Sequence, residues 1–190
     1  MDRFRLVDMT TTGPGTEEQT DVPWLSDEEQ RGWLGAAAMM LKLPGVLDSQ
    51  LQRDAGLTLY EYLTLSALSM SPDHTMRMSE LAELSNGSLS RLSNVVKRLE
   101  QREWVIRRPD PTDGRYTVAV LTDAGMDVVA AAAPGHVRAV RHFVLDPLSR
   151  GQIRQLEQIG QRIRERTAVA LTVPDPCGAP DPCGGPHPAR

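Results

Sequence analysis

The chain has 190 residues, with 21 Lys plus Arg against 25 Asp plus Glu and a formal net charge of −4. That length suits one domain with tails, and that balance argues against a protein that coats nucleic acid or anionic membrane by bulk charge. A hydrophobic share of 40% allows a real core, a 4% aromatic share is too small for a base-stacking platform, and Cys177 and Cys183 both lie too near the C-terminus to form a disulfide framework.

Residues 1–24 are rich in Thr, Gly, Pro and acids without periodicity and are expected to be a disordered tail. They lack the apolar stretch of a signal peptide, and the longest apolar runs, 36–41 and 128–133, are far short of a membrane span. The expectation is a soluble cytoplasmic protein with no membrane partner. Ser26 and Glu29 make a capping box, opening a helix towards Leu51 that Pro44 and Gly45 would kink or interrupt. Thr58 caps a second helix, with Tyr62, Leu65, Ala67 and Leu68 as core candidates, ending before Ser71 and Pro72.

Residues 79–84 read as a short helix, 85–87 as a turn containing Gly87, and 88–101 as a longer helix. On the longer helix, Leu89, Leu92, Val95, Val96 and Leu99 share one side, while Ser90, Arg91, Asn94, Lys97, Arg98 and Gln101 share the other. Then the period changes: 104–107 and 116–120 are short, β-branched strands, joined by a segment with Pro109, Pro111 and the Asp113-Gly114 turn. A hairpin directly after a helix-turn-helix is a wing. Thr122 and Asp123 start a further helix through 128–133, which Pro134 and Gly135 bend and which continues through Val137, Val140 and Val144. Ser149 opens a last helix with Ile153, Leu156, Ile159 and Ile163 on one stripe and five arginines (150, 154, 162, 164 and 166) that suit a solvated face. Residues 172–190, with a twofold PDPCG repeat, are expected to be disordered.

Charge is uneven along this plan. Residues 1–30 carry a net −6, whereas 86–115 hold seven basic side chains against four acids and 138–166 hold seven against three. The acidic mean therefore conceals a cationic helix and wing. A winged helix-turn-helix places its second helix in the major groove and reaches an adjacent minor groove with the wing, where negative potential favours arginine. Arg115 follows the Asp-Gly turn, and Asp113 is spaced either to aim its guanidinium or to form an ordinary turn pair.

Several stretches carry a family likeness. They are Leu57-Thr58-Leu59-Tyr60-Glu61-Tyr62, Met78-Ser79-Glu80-Leu81-Ala82, Ser88-Leu89-Ser90-Arg91-Leu92-Ser93 and Val96-Lys97-Arg98-Leu99-Glu100. The wing from Asp110 to Arg115 running into Val118-Ala119-Val120-Leu121-Thr122-Asp123-Ala124-Gly125 is the most specific, and Ala133-Pro134-Gly135-His136-Val137 and Asp146-Pro147-Leu148-Ser149 complete the set. Over about residues 25–168 the sequence resembles the MarR family of bacterial transcription regulators, and closely its actinobacterial branch. The resemblance implies a mainly α fold with a β-hairpin wing: dimerisation helices at 25–55 and 123–171, and a winged helix-turn-helix at 56–122. It implies a homodimer on a palindromic operator in double-stranded DNA, commonly a repressor released by a small, often phenolic, effector. Ser88, Ser90, Arg91 and Asn94 would face the major groove, Lys97 and Arg98 would add base or phosphate contacts, and Arg115, held by Asp113, would enter the minor groove. No catalytic residue, metal ligand or cofactor is implied.

Two departures stand out. The family usually has Gly where this chain has Glu103, a helix C-cap position that favours φ > 0. The reactive N-terminal cysteine of thiol-sensing members is absent.

Other readings have less to stand on. His74, His136, His142 and His187 show no metal spacing with acids, and Ser26, Ser79 and Ser149 look like caps rather than nucleophiles, so an enzyme is not expected. Cys177, Cys183 and His187 could ligate a metal or sense oxidants, although a Pro/Gly tail would have to be ordered by the ion. A winged helix can also serve protein contact without DNA. Met39, Met40, Met70, Met76 and Met78, with Trp33 and His74, suit either an adaptable ligand pocket or, more simply, core filling.

Overall fold

Five helices in this computed structural model begin where a short polar side chain can answer the free N–H groups of a first turn. The structure describes residues 23–84 and 88–172, with side chains through 167. The expected N-terminal tail as far as residue 22, the 85–87 turn, and the C-terminal tail from residue 173, with Cys177, Cys183 and His187, lie outside them. The chain divides into two units at Met40/Leu41. In the first, Ser26 and Glu29 exchange the two bonds of a capping box (2.8 and 3.3 Å) and open helix α1, Asp27–Ala55.

The second unit starts inside α1. The helix runs on through Pro44 and Gly45, so of the expected kink or interruption the interruption does not occur. Helix α2, Leu59–Met70, starts at Thr58, whose hydroxyl accepts from the Glu61 amide while Glu61 accepts from the Thr58 amide. It ends at Ser71, and a single 3-10 turn, Pro72–His74, follows, with Asp73 and His74 both at φ 51°. Next comes a strand that the sequence reading did not foresee, β1, Thr75–Arg77. Three residues are too few for alternation to be recognised.

Helices α3, Met78–Leu84, and α4, Leu89–Gln101, form the helix-turn-helix. Strands β2, Val105–Pro109, and β3, Thr117–Leu121, form the expected hairpin, each a residue or two displaced from its predicted bounds. Strand β3 is central, antiparallel to both neighbours, with Val118 opposite Arg77 on one side and Arg108 on the other. Pro109 is tolerated because β2 is an edge. Helix α5, Asp123–Val140, continues past Pro134 and Gly135 into a π-helical turn, Arg141–Leu145, and helix α6, Arg150–Thr172, closes the described chain.

The core lies beneath the helix-turn-helix. Leu51, Leu57, Leu65, Leu68, Leu81, Leu92, Val96, Leu99 and Val105 are fully enclosed, drawing on α1, α2, α3, α4 and β2. Of the predicted α4 stripe, Leu92, Val95, Val96 and Leu99 are buried, but Leu89 is exposed because the first turn overhangs the cleft between α4 and the wing. Met78 belongs to the core and Met76 packs against it, whereas Trp33, Met39, Met40, Met70 and His74 are exposed. Core filling thus describes Met78 and Met76 alone. The α6 stripe is also turned outward, with Ile153, Ile159 and Ile163 exposed.

Candidate nucleic-acid interface

The interface is built on α4 and the hairpin, whose junction is fixed by backbone geometry. Helix α4 ends in a Schellman motif, with the Trp104 amide donating to Leu99 O (3.0 Å) and the Glu103 amide to Glu100 O (2.9 Å). Glu103 sits at φ 62°, the left-handed conformation in which glycine is usual. The Thr122 hydroxyl donates to Glu103 O (2.8 Å) and the Thr122 amide to Trp104 O (3.0 Å), pinning the start of α5 to the end of α4. Gly125 completes the joint, since a Cβ there would overlap the Trp104 carbonyl oxygen. The Leu-Thr-Asp-Ala-Gly run is thus a clasp: Thr122 caps and bonds backwards, and Gly125 permits the approach.

Along α4, Ser88 is the N-cap, its hydroxyl accepting from the Arg91 amide (3.3 Å) and lying 3.0 Å from the Ser90 hydroxyl. Ser90, Arg91, Asn94, Lys97 and Arg98 are all exposed on the side away from the core. Two of these cations are anchored to the first turn of α2. The Arg91 guanidinium lies 4.8 Å from the centre of the Tyr60 ring, and Arg98 Nε donates to Glu61 Oε1 at 3.1 Å. Glu61 is 4% exposed. Burial opposes its ionisation, but the Thr58 amide, the Arg98 guanidinium and the Thr58 hydroxyl outweigh it and hold the carboxyl below its ordinary range. Lower down, Arg107 of β2 donates from Nε to Glu100 at 2.9 Å, tying the wing to the last turn of α4.

At the wing tip the Asp113 carboxylate receives Arg115 Nε (3.0 Å) and a terminal nitrogen (2.8 Å). This fork-to-fork pair holds Asp113 below its usual range, and Arg115 remains 85% exposed. Arg77 donates to Asp110, which is 7% exposed and also accepts from the Thr112 amide and hydroxyl. The Thr112 hydroxyl and amide and the Arg77 guanidinium together hold Asp110 far below the normal carboxylate range. Between α4 and the wing lies an open cleft of about 310 Å³, with Ser79, Ser93, Arg107, Arg115 and Thr117 in its lining.

The eight residues expected at the interface therefore fall on one helix and one hairpin tip. Sequence reasoning missed the groups behind them: Glu61, Glu100, Arg77 and Asp110. Glu61 was recoverable as the third helical residue after the Thr58 cap, and Asp110 as the head of an Asp-x-Thr turn. Arg77 carried no local signal. Among the described residues no group of three His, Cys, Asp or Glu could hold a metal ion, and no helix is long and apolar enough to cross a membrane.

Residues 55–115 match the model of the MarR family. Sco3205, a MarR family transcriptional regulator from Streptomyces coelicolor solved in complex with DNA, is 42% identical, covers 76% of this chain and 94% of its own, and superimposes with a TM-score of 0.72. AbsC, a MarR family transcriptional regulator from the same organism, is 35% identical over 77% of this chain and 99% of its own, also at 0.72. The HTH-type transcriptional repressor Mb2911 of Mycobacterium bovis is 32% identical over 108 residues, 57% of this chain and 76% of its own. The helix-turn-helix, the cationic hairpin beside it and the Thr122–Gly125 clasp thus occur in a chain that belongs to the MarR family of DNA-binding transcriptional regulators, a family of regulators rather than enzymes.

Proposed function

We propose that the protein is a homodimeric, ligand-responsive repressor that binds a palindromic operator. Helix α4 enters the major groove, where Ser88, Ser90, Arg91 and Asn94 meet base edges and Lys97 and Arg98 add base or phosphate contacts. Arg115, oriented by Asp113, enters the flanking minor groove. The observation that carries this reading is the bidentate Asp113–Arg115 pair at an exposed wing tip, beside a helix whose outer face is polar and cationic. Arg98 takes part while its Nε remains on Glu61, its terminal nitrogens being those that reach the DNA.

The two-fold assembly is supported by apolar side chains facing solvent. Trp24, Trp33, Leu34, Met39 and Met40 are exposed in the first unit, and Ile153, Ile159 and Ile163 on α6. Such surface is stabilised by a second copy at roughly 25 cal/mol per Å² removed from water. Residues 25–55 and 123–171 supply the dimer helices and 56–122 the reading head. A small effector, often phenolic in this family, would release the DNA, and the protein would act in the cytoplasm.

Selection of duplexes from a randomised pool, followed by gel shift and sedimentation, tests the reading. Recovery of a palindromic site bound by two chains is expected. Failure to enrich any duplex, with a salt-insensitive protein contact instead, would leave a protein-interaction module.

A further inference from the structure

We propose that Arg77, which lies outside both the recognition helix and the hairpin, is a positioning residue that sets where Arg115 is presented to the minor groove. The proposal rests on the DNA-binding reading above. Arg77 ends β1, a strand whose backbone pairs with β3 of the hairpin. Its Nε reaches Asp110 Oδ2 at 2.6 Å, and its guanidinium carbon lies 4.6 Å from the centre of the Tyr116 ring. One side chain therefore grips both ends of the segment that carries Asp113 and Arg115.

The connection onward is continuous. Asp110 Oδ1 accepts from the Thr112 amide and hydroxyl (2.8 and 2.7 Å), shaping the descending side of the tip. The Asp110 amide donates to Tyr116 O (2.9 Å), the Tyr116 amide donates to Asp113 O (3.0 Å), and the Asp113 carboxylate holds Arg115. No side chain between 111 and 117 is buried, so packing on the core does not fix the tip. Its position depends on this polar chain, whose first link is Arg77. A buried carboxylate with three donors needs all of them, because a lone buried charge is costly.

Arg77 is poorly placed to touch phosphate itself. It lines a separate hollow of about 430 Å³ shared with Asp73, Glu80, Arg108 and Asp110, three of whose charged groups are acids. Arg115 lines the cleft on the α4 side. The role left for Arg77 is to hold, not to bind.

The test is a double-mutant cycle on a duplex enriched by the wild-type protein from a randomised pool. Arg77→Ala should weaken binding about tenfold, equivalent to about 1.4 kcal/mol, yet less than about twofold once Arg115→Ala is present. Hydroxyl-radical protection in the flanking minor groove should disappear, while protection of major-groove guanines from methylation persists. Arg77→Lys, which keeps one donor to Asp110, should recover part of the affinity. If Arg77→Ala fails to fold, Asp110→Asn removes the same grip from the other side and should show the same dependence on Arg115. Unchanged affinity, or an equal loss in the Arg115→Ala background, overturns the proposal. If the wild type enriches no duplex, the DNA-binding reading has failed instead.

Discussion

Arg98, half exposed on the outer side of α4, donates to Glu61, which is buried at the start of α2, across 3.1 Å. The same carboxylate closes the capping box of α2. One side chain thus fixes the start of one helix and the attitude of the next.

Replacing Glu61 with Gln should therefore cost about 1–2 kcal/mol, the range of a lost cap combined with a weakened charge-assisted hydrogen bond. Urea titration of the wild type, Glu61→Gln, Arg98→Ala and the double variant would show it. Strict additivity of the two single effects would mean that the pair contributes nothing as a pair.

Glu103 occupies a left-handed C-cap position without being glycine. Glu103→Gly should stabilise the fold by roughly 1 kcal/mol, raising the melting temperature by about 2–4 °C. Gly125→Ala should do the opposite by about 1–3 kcal/mol, because the added methyl must displace the Trp104 carbonyl to which Thr122 donates. Calorimetry on the two variants decides both signs.

Arg115→Ala and Arg91→Ala should each weaken binding to the enriched duplex by about 1–3 kcal/mol. If both leave a gel shift unmoved, the assignment of α4 and the wing to DNA is wrong. Affinity should also fall steeply with salt, since phosphate neutralisation releases counterions.

His136 lies against the Tyr62 ring, centroids 4.5 Å apart, with Nδ1 buried and without a hydrogen-bond partner among the described residues. Burial lowers its pKa, so the folded protein favours the neutral ring more than the unfolded chain does. The unfolded state then binds more protons as pH falls through the ordinary imidazole value of about 6.5, and stability present above that pH is lost below it. His136→Gln should flatten the slope between about pH 7 and 5. A slope unchanged in that variant would assign it to another group.

The sequence alone carried the order of the helices and the hairpin, the caps at Ser26, Thr58, Thr122 and Ser149, and the side of α4 that stays wet, whereas Ser79, read as a cap, lies inside α3. Those features depend on short-range rules: a hydroxyl within three residues of free amides, an apolar repeat at helical spacing, and an Asp-Gly turn between β-branched runs. It also exposed the regional charge contrast that the overall −4 conceals. It allowed for an interruption at Pro44 that does not occur, because helix α1 runs on past the lost bond, and it expected the helix to continue past Pro134, as α5 does. Leu89 was misplaced because a helical wheel shows a face but not where the neighbouring element stops. Only the tertiary structure could show β1, the Glu61–Arg98 and Glu100–Arg107 ties, and the Arg77–Asp110 grip. The partners of these ion pairs lie 37, 7 and 33 positions apart. The two long-range ties depend on the close approach of distant backbone segments, and the Glu100–Arg107 tie on how the chain turns back after α4, which no local pattern encodes.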